Sequence, residues 1–548
     1  MTGPSENAVF DYVIVGAGSA GCVLANRLSA DPSRTVCLIE AGPRDSNPWI
    51  HIPVGVPFVI ADDRLDWKFW TASQRSLADR RVFVPRGKTL GGSSAINAMT
   101  ASRGHPADYD DWAAAGATGW SYADVLPYFR RSEAFENYDK LGEDRIRHAA
   151  NGPLPVSRPL YVHPLVTAFL AAAKEAGLPA NSDFAGRTTE GVGLYRVFQR
   201  HGRRVSNADA YLHPAERRAN LQVLTGVMAE RVLFEGPRAQ GVVVRRQGQP
   251  PRRIVARAEV ILSAGAVGSP QLLMLSGIGP GDHLRAMDIG VVADSPQVGA
   301  NLQDHYDVHL SHLENGRSAV SQRPDAWLKL AVSLGRYLVF RDGDLSISVA
   351  QAGAFLKSRP DIERPDIQWH FTPLLMGGDI LDSHLVRQHY GFTLVCGALR
   401  PQSRGTIRLA SPRAGDEPVI DPNYLDHPED LDAIVAGLQI ARRVFEQPAI
   451  AAHSEREFEP GADAASAEAL ATHARAKGVS TYHLVGACRM GCDAQAPLTP
   501  DLKVRGVDGL RVVDASVMPL IVGGHTNAPT TMIAERAADL ILGRAPTR

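Results

Sequence analysis

Apolar positions in this chain gather into short unbroken runs separated by glycine-rich turns. Tyr12-Val13-Ile14-Val15 and Val36-Cys37-Leu38-Ile39 have no polar interruption, as expected of strands covered on both faces. Between them Ala20, Leu24 and Leu28 recur at every fourth position and predict one face of a helix. The runs Gln222 to Thr225, Ala229 to Phe234 and Gly241 to Val244 predict a three-stranded meander. Val260-Ile261-Leu262 and Leu510-Arg511-Val512-Val513 read as further buried strands. Asp366 to Phe371 and Gly391 to Cys396 alternate, so each suits a strand with one face inward. Leu431, Ile434, Val435 and Leu438 stand at helical spacing and predict an amphipathic surface helix, and the chain from Thr530 reads as another helix.

The first strand meets its helix through Gly16-Ala17-Gly18-Ser19-Ala20-Gly21. In this dinucleotide fingerprint Gly16 permits a tight turn, Gly18 lets backbone approach a pyrophosphate, and Gly21 lets helix and strand pack closely. The helix N-terminus offers unpaired N–H groups to phosphate. Glu40, nineteen positions after Gly21, ends the second strand where an acid suits ribose hydroxyls. This unit accommodates FAD or NAD alike.

The length of 548 residues favours two domains. A formal net charge of −1 speaks against nucleic acid or an anionic membrane surface as main partner, although a balanced total leaves room for a local patch. Five cysteines form no disulfide framework and no metal-ligand pattern, so a cytoplasmic protein without a metal is expected. The first nine residues lack the features of a secretory signal, and no apolar run reaches the ~20 residues of a membrane span. Between Ala41 and Ala78 four prolines and the cluster Trp67, Phe69 and Trp70 predict an irregular segment; packing over a domain edge is the favoured reading and a lid or cavity wall the alternative. Trp369 and His370 are expected to pack within a sheet.

Two further stretches carry chemistry. Pro85 to Met99 contains Thr89-Leu90-Gly91-Gly92-Ser93-Ser94-Ala95-Ile96-Asn97-Ala98-Met99, and Ser263 to Gly279 is a second glycine-rich passage from strand to helix. Both resemble the signature stretches of the glucose-methanol-choline (GMC) oxidoreductases. So do Arg103 to Asp110, Asn301-Leu302-Gln303-Asp304-His305, Arg400 to Gly405 and the C-terminal block, in the family's order. Within that family the choline-dehydrogenase-like and hydroxymethylfurfural-oxidase-like bacterial members are the nearest in pattern.

The resemblance implies an α/β fold: a Rossmann-like FAD-binding domain of residues 8–151, 208–312 and 471–548, with an inserted α+β substrate domain, 152–207 and 313–470, built on an antiparallel sheet. It implies FAD contacts from Gly16, Gly18, Ala20, Gly21, Glu40, Ala41, Thr89, Leu90, Gly91, Ser94, Asn97, Ala98, Met99, Val227, Ala264, Tyr482, Asp514, Ala515, Asn527 and Thr530. Ile96 stands where some members carry a histidine covalently bound to FAD, so attachment is expected to be non-covalent. His483 matches the active-site histidine and Asn527 the second catalytic position. His525, two residues earlier, shares a face with Asn527 on an extended segment, yet the register favours Asn527. The implied reaction is oxidation of a primary alcohol to the aldehyde, with oxygen or a quinone-type acceptor reoxidising the flavin. A hydroxynitrile-lyase-type reaction without net redox is the alternative.

Overall fold

The structure, a computed structural model, describes residues 8–378 and 384–547. Residues 1–7, part of the stretch used to judge a secretory signal, lie outside the described residues.

The uninterrupted apolar runs form the centre of a seven-stranded sheet. Ala8–Val15 lies between Val36–Glu40 and Arg252–Leu262, parallel to both, and Leu510–Val512 adds in parallel along the C-terminal half of Arg252–Leu262. Val13, Ile14, Val36, Leu38, Val260 and Ile261 are wholly buried: the helix Ser19–Leu28 packs against the first two strands, and Val227–Glu235 also lies against Val36–Glu40.

The expected meander is shifted by one strand. Leu221–Thr225 pairs in parallel with Val36–Glu40 at the opposite edge, and the antiparallel meander is Val227–Glu235, Arg238–Arg246 and Arg252–Leu262. The turn at Gly226, φ +66°, sends the chain away from Leu221–Thr225. Sequence adjacency cannot distinguish these pairings, because a β-branched run suits either neighbour.

The alternating runs form the second sheet, in the order Ser454–Glu459, Tyr306–Glu314, Gly391–Ala398, Ile367–Thr372, Ala352–Leu356 and Gly191–Leu194, with Val479–Ser480 beside Tyr306. Every pairing is antiparallel. The helix Pro428–Phe445 buries Ile434, Leu438 and Ala441 against this sheet. Position 312 falls inside the strand Tyr306–Glu314 and 470 inside the helix Ala467–Lys477, so two of the boundaries inferred above cut through elements. Pairing and packing hold these elements whole.

The first helix, Ser19–Leu28, and the last, Asn527–Leu542, lie side by side and start at the same place. The wholly buried Glu535 receives Arg27, Arg131 and the Tyr211 hydroxyl. Asn207 donates to the Ser19 carbonyl (3.0 Å) and the Thr531 hydroxyl (2.9 Å), joining the two N-terminal turns.

Candidate active site

One cavity of about 520 Å³ extends from the glycine turn to the C-terminal histidines. Its nucleotide end is made largely of backbone. Gly16 has φ +100°, and a Cβ there would lie 2.3 Å from the Ser263 carbonyl oxygen. A Cβ on Gly92 would lie 2.6 Å from Gly18 Cα, so the two turns meet through glycine, while a Cβ on Gly18 would meet Gly92 Cα and the Ser263 carbonyl oxygen only at 4.0 Å. Gly21 acts by packing, since a Cβ there would stand 1.9 Å from the Gly16 carbonyl oxygen.

Glu40 accepts the Ala17 and Gly42 N–H groups, both at 2.9 Å. Burial pushes its carboxyl up to about 7, against those hydrogen bonds and nearby Lys88. Asp514 accepts the Gly265 N–H at 2.9 Å and bonds the Ser269 and Ser516 hydroxyls, which fixes the start of the helix Gly265–Leu275; burial raises its pKa. Ser263 Oγ and the Arg86 Nε and Nη2 atoms are buried at the cavity wall without hydrogen-bond partners. Such a cradle fits FAD: glycine backbone for close approach, helix N-termini for phosphate, and unmatched donors for a polar ligand.

Gly16, Gly18, Ala20, Glu40, Ala41, Asn97, Ala98, Met99, Val227, Ala264, Tyr482, Asp514, Ala515, Asn527 and Thr530 line the cavity. Gly21, Thr89, Leu90, Gly91 and Ser94, named with them from the resemblance, do not. Thr89 donates to the Pro43 carbonyl (3.0 Å) and Leu90 is core. Gly91 donates its N–H to the Ala17 carbonyl (2.8 Å), while Ser94 Oγ bonds the Gly91 carbonyl and receives the Asn207 N–H. These residues shape the turn, and Gly92, Ser93 and Ile96 reach the cavity. The segment 41–78 is a cavity wall rather than a cover over a domain edge: Val56, Ile60, Trp67 and Phe69 line the cavity. Its prolines signalled irregularity but not which surface the segment meets.

At the other end His309, His370, His483 and His525 line the cavity, with His305 behind His483. His305 Nδ1 and His483 Nδ1 are 2.9 Å apart, and His305 Nε2 lies 3.1 Å from the Leu399 carbonyl oxygen. Burial holds both rings neutral, His305 down to about 3 and His483 well below 6.5, with the neighbouring histidines and Arg86 pushing His483 further in that direction. A carbonyl only accepts, so His305 carries its proton on Nε2 and offers an Nδ1 lone pair. His483 therefore donates from Nδ1 and keeps a lone pair on Nε2.

His525 faces His483 with ring centroids 5.2 Å apart. Its Nε2 is 3.0 Å from His370 Nε2 and its Nδ1 is 2.9 Å from Ser102 Oγ. Burial keeps His525 and His370 neutral, His370 near 4. Asn527, expected to pair with His483, instead accepts the Ser19 hydroxyl (2.7 Å) and turns its amide toward Asn207 (3.5 Å). The residue in edge-to-face ring contact with His483 at the cavity wall is His525. It lies in the extended approach to the last helix, whereas Asn527 already belongs to that helix and is drawn to the first helix's N-terminus.

The motifs between the signatures hold these side chains. Asp304 accepts the His483 N–H (2.7 Å) and bonds the Ser480 and Tyr424 hydroxyls, fixing a turn in which Tyr482 has φ +66°. Gln303 and Asn301 bond the backbone of Pro519 and Ile521. Asp108 accepts the Gly523 N–H (2.7 Å) and pairs with Arg400, and Ser102 Oγ accepts the His525 N–H (2.9 Å). Sequence reasoning missed the cavity positions Asp307, His309 and His370, which carry only the alternation of their strands as a signal, and Arg86, which stands in the loop that opens the first signature stretch.

Family models of the GMC oxidoreductases match residues 10–307 and 401–534. The alcohol dehydrogenase [acceptor] of Pseudomonas putida is 45% identical over 97% of this chain and 96% of its own length. Human mitochondrial choline dehydrogenase is 42% identical over 99% of this chain and 91% of its own length. The crystal structure of pyridoxine 4-oxidase from Mesorbium loti aligns with a TM-score of 0.87 at 31% identity, covering 98% of this chain and all of that one. With a glycine cradle for FAD at one end of the cavity and facing imidazoles at the other, this chain belongs to the GMC oxidoreductases, as an FAD-dependent oxidoreductase acting on CH–OH donors.

Proposed function

We propose that the protein oxidises a primary alcohol to the aldehyde, with His483 as the base that accepts the hydroxyl proton and His525 as its partner at the substrate oxygen. The observation that carries this reading is the pair of neutral rings set edge to face side by side at the cavity wall, one of them with a free Nε2 lone pair. FAD, when bound, supplies the hydride acceptor. A base must reach the hydroxyl within hydrogen-bond distance and be unprotonated at working pH; burial meets the second condition, and the tautomer set by His305 and Leu399 leaves Nε2 as the free lone pair. The Asp304 bond to the His483 N–H holds the backbone that carries the ring. Asn527 and Thr530, in the first turn of the last helix, would face the cofactor and favour negative charge there through the helix dipole.

Ile96 lines the cavity with hydrocarbon and has no nucleophile to offer, so FAD is held without a covalent bond. Yellow colour left in a washed acid precipitate would refute this. A redox role is tested by anaerobic mixing with primary alcohols, which bleaches the flavin absorption near ~450 nm if hydride transfer occurs. Oxygen consumption against dye reduction then distinguishes oxygen from a quinone-type acceptor. The relatives named above are oxidoreductases, and none gives support to the lyase alternative. A cytoplasmic location is supported by five cysteines that all stand unpaired.

A further inference from the structure

The helix Trp327–Phe340 is turned inside out. Its buried positions are Ser333 and Tyr337, whereas eight of its fourteen residues are large apolar side chains exposed to solvent. Among these Trp327, Val332, Val339 and Phe340 are 63–72% exposed. The hydroxyls point inward, Tyr337 donating to the Gly202 carbonyl (3.1 Å) and Ser333 to Asp344 (3.2 Å). A helix on a soluble protein buries its apolar stripe, and contiguous exposed apolar surface beyond about 300–600 Å² marks an interaction site.

The patch continues toward the cavity. Gly202 lies in the hairpin Gln199 to Arg204, and Arg204 Nε donates to the Ile50 carbonyl at 2.7 Å. Beside Ile50, Trp49 and Phe58 stack with centroids 4.4 Å apart and are 37% and 43% exposed. Val56 and Ile60 of the same segment line the cavity on its inner side. Arg200, His201 and Arg203 are exposed on the hairpin, and Arg341 follows the helix against Gly202.

We propose that this surface docks the protein on an anionic phospholipid bilayer, with the helix Trp327–Phe340 lying in the headgroup plane and the cavity's outer wall turned to the membrane. Exposed apolar side chains rimmed by arginine are what an interfacial helix needs: hydrocarbon burial together with attraction to anionic headgroups. The inference is independent of which alcohol is oxidised.

The test is cosedimentation of the FAD-loaded full chain with vesicles of phosphatidylcholine alone and of phosphatidylcholine with phosphatidylglycerol. Binding to the anionic vesicles is expected, weakened by salt and by the R200A/R203A double variant. The V339E/F340E double variant is expected to bind at least about tenfold more weakly, with flavin content and turnover of a water-soluble alcohol unchanged. W327S/V332S serves if V339E/F340E loses flavin. Failure to bind either vesicle, binding indifferent to all these variants, or a dimer by light scattering that V339E/F340E dissociates would each overturn the proposal.

Discussion

The two ends of the cavity are built by opposite means. The nucleotide end depends on residues that lack side chains, with Gly16, Gly18 and Gly92 letting three stretches of backbone meet. The histidine end depends on side chains held from far along the chain: His483 by Asp304 and His305, and His525 by Ser102 and His370. Shape selects the ligand at the first end, and protonation state decides the chemistry at the second. A change at the nucleotide end should therefore remove the cofactor, whereas one at the histidine end should spare the cofactor and remove turnover.

The largest effect is expected from Gly16→Val, which combines a disfavoured φ with a clash against the Ser263 carbonyl. It should cost several kcal/mol, on the order of 3 or more, and yield no FAD-containing protein, as read by flavin absorbance after purification. Recovery of a yellow, active variant would break the comparison at its first half. His483→Ala should keep its flavin yet lose about 10²–10⁴ in turnover, the range of a general base, measured as the rate of anaerobic flavin reduction.

Smaller effects separate the neighbours at 525 and 527. His525→Ala should lower the reduction rate more than Asn527→Ala does, while Asn527→Ala should loosen FAD, measured by apoprotein titration, because it loses the Ser19 hydroxyl contact. The reverse ranking would restore Asn527 as the partner of His483. His305→Ala frees the His483 tautomer, and a drop of about tenfold in turnover with flavin retained would mark it as a positioning residue.

The mildest prediction concerns pH. His305, His370, His483 and His525 are all held neutral below their ordinary value of 6.5, chiefly by burial. An unfolded chain binds protons at these sites before the folded one does. Their contribution to stability is thus fully present above 6.5 and declines as pH falls below it. Flavin reduction rates should accordingly show no acid limb near 6.5, and an inflection there would mean that the catalytic imidazole titrates as if in water.

The cradle was legible in the sequence because its constraints are local. Strand, turn and helix follow within thirty residues from Asp11 to Glu40, and each glycine answers a need of the neighbouring backbone. The resemblance to the GMC family extended this to FAD, to the antiparallel second sheet and to His483. Thr89, Leu90, Gly91 and Ser94 stand behind the cavity lining, and a signature does not distinguish residues that face the cavity from those that shape the loop.

What the amino-acid order determined by itself was the set of local units: buried parallel strands, alternating strands, the glycine turns and the presence of imidazoles near the C-terminus. Tertiary structure alone decided which edge Leu221–Thr225 joins, that segment 41–78 forms a cavity wall, and that His525 rather than Asn527 faces His483. These outcomes rest on partners hundreds of positions away, such as Ser102, bonded to both ring and backbone of His525, and Ser19 for Asn527, contacts that no periodicity records.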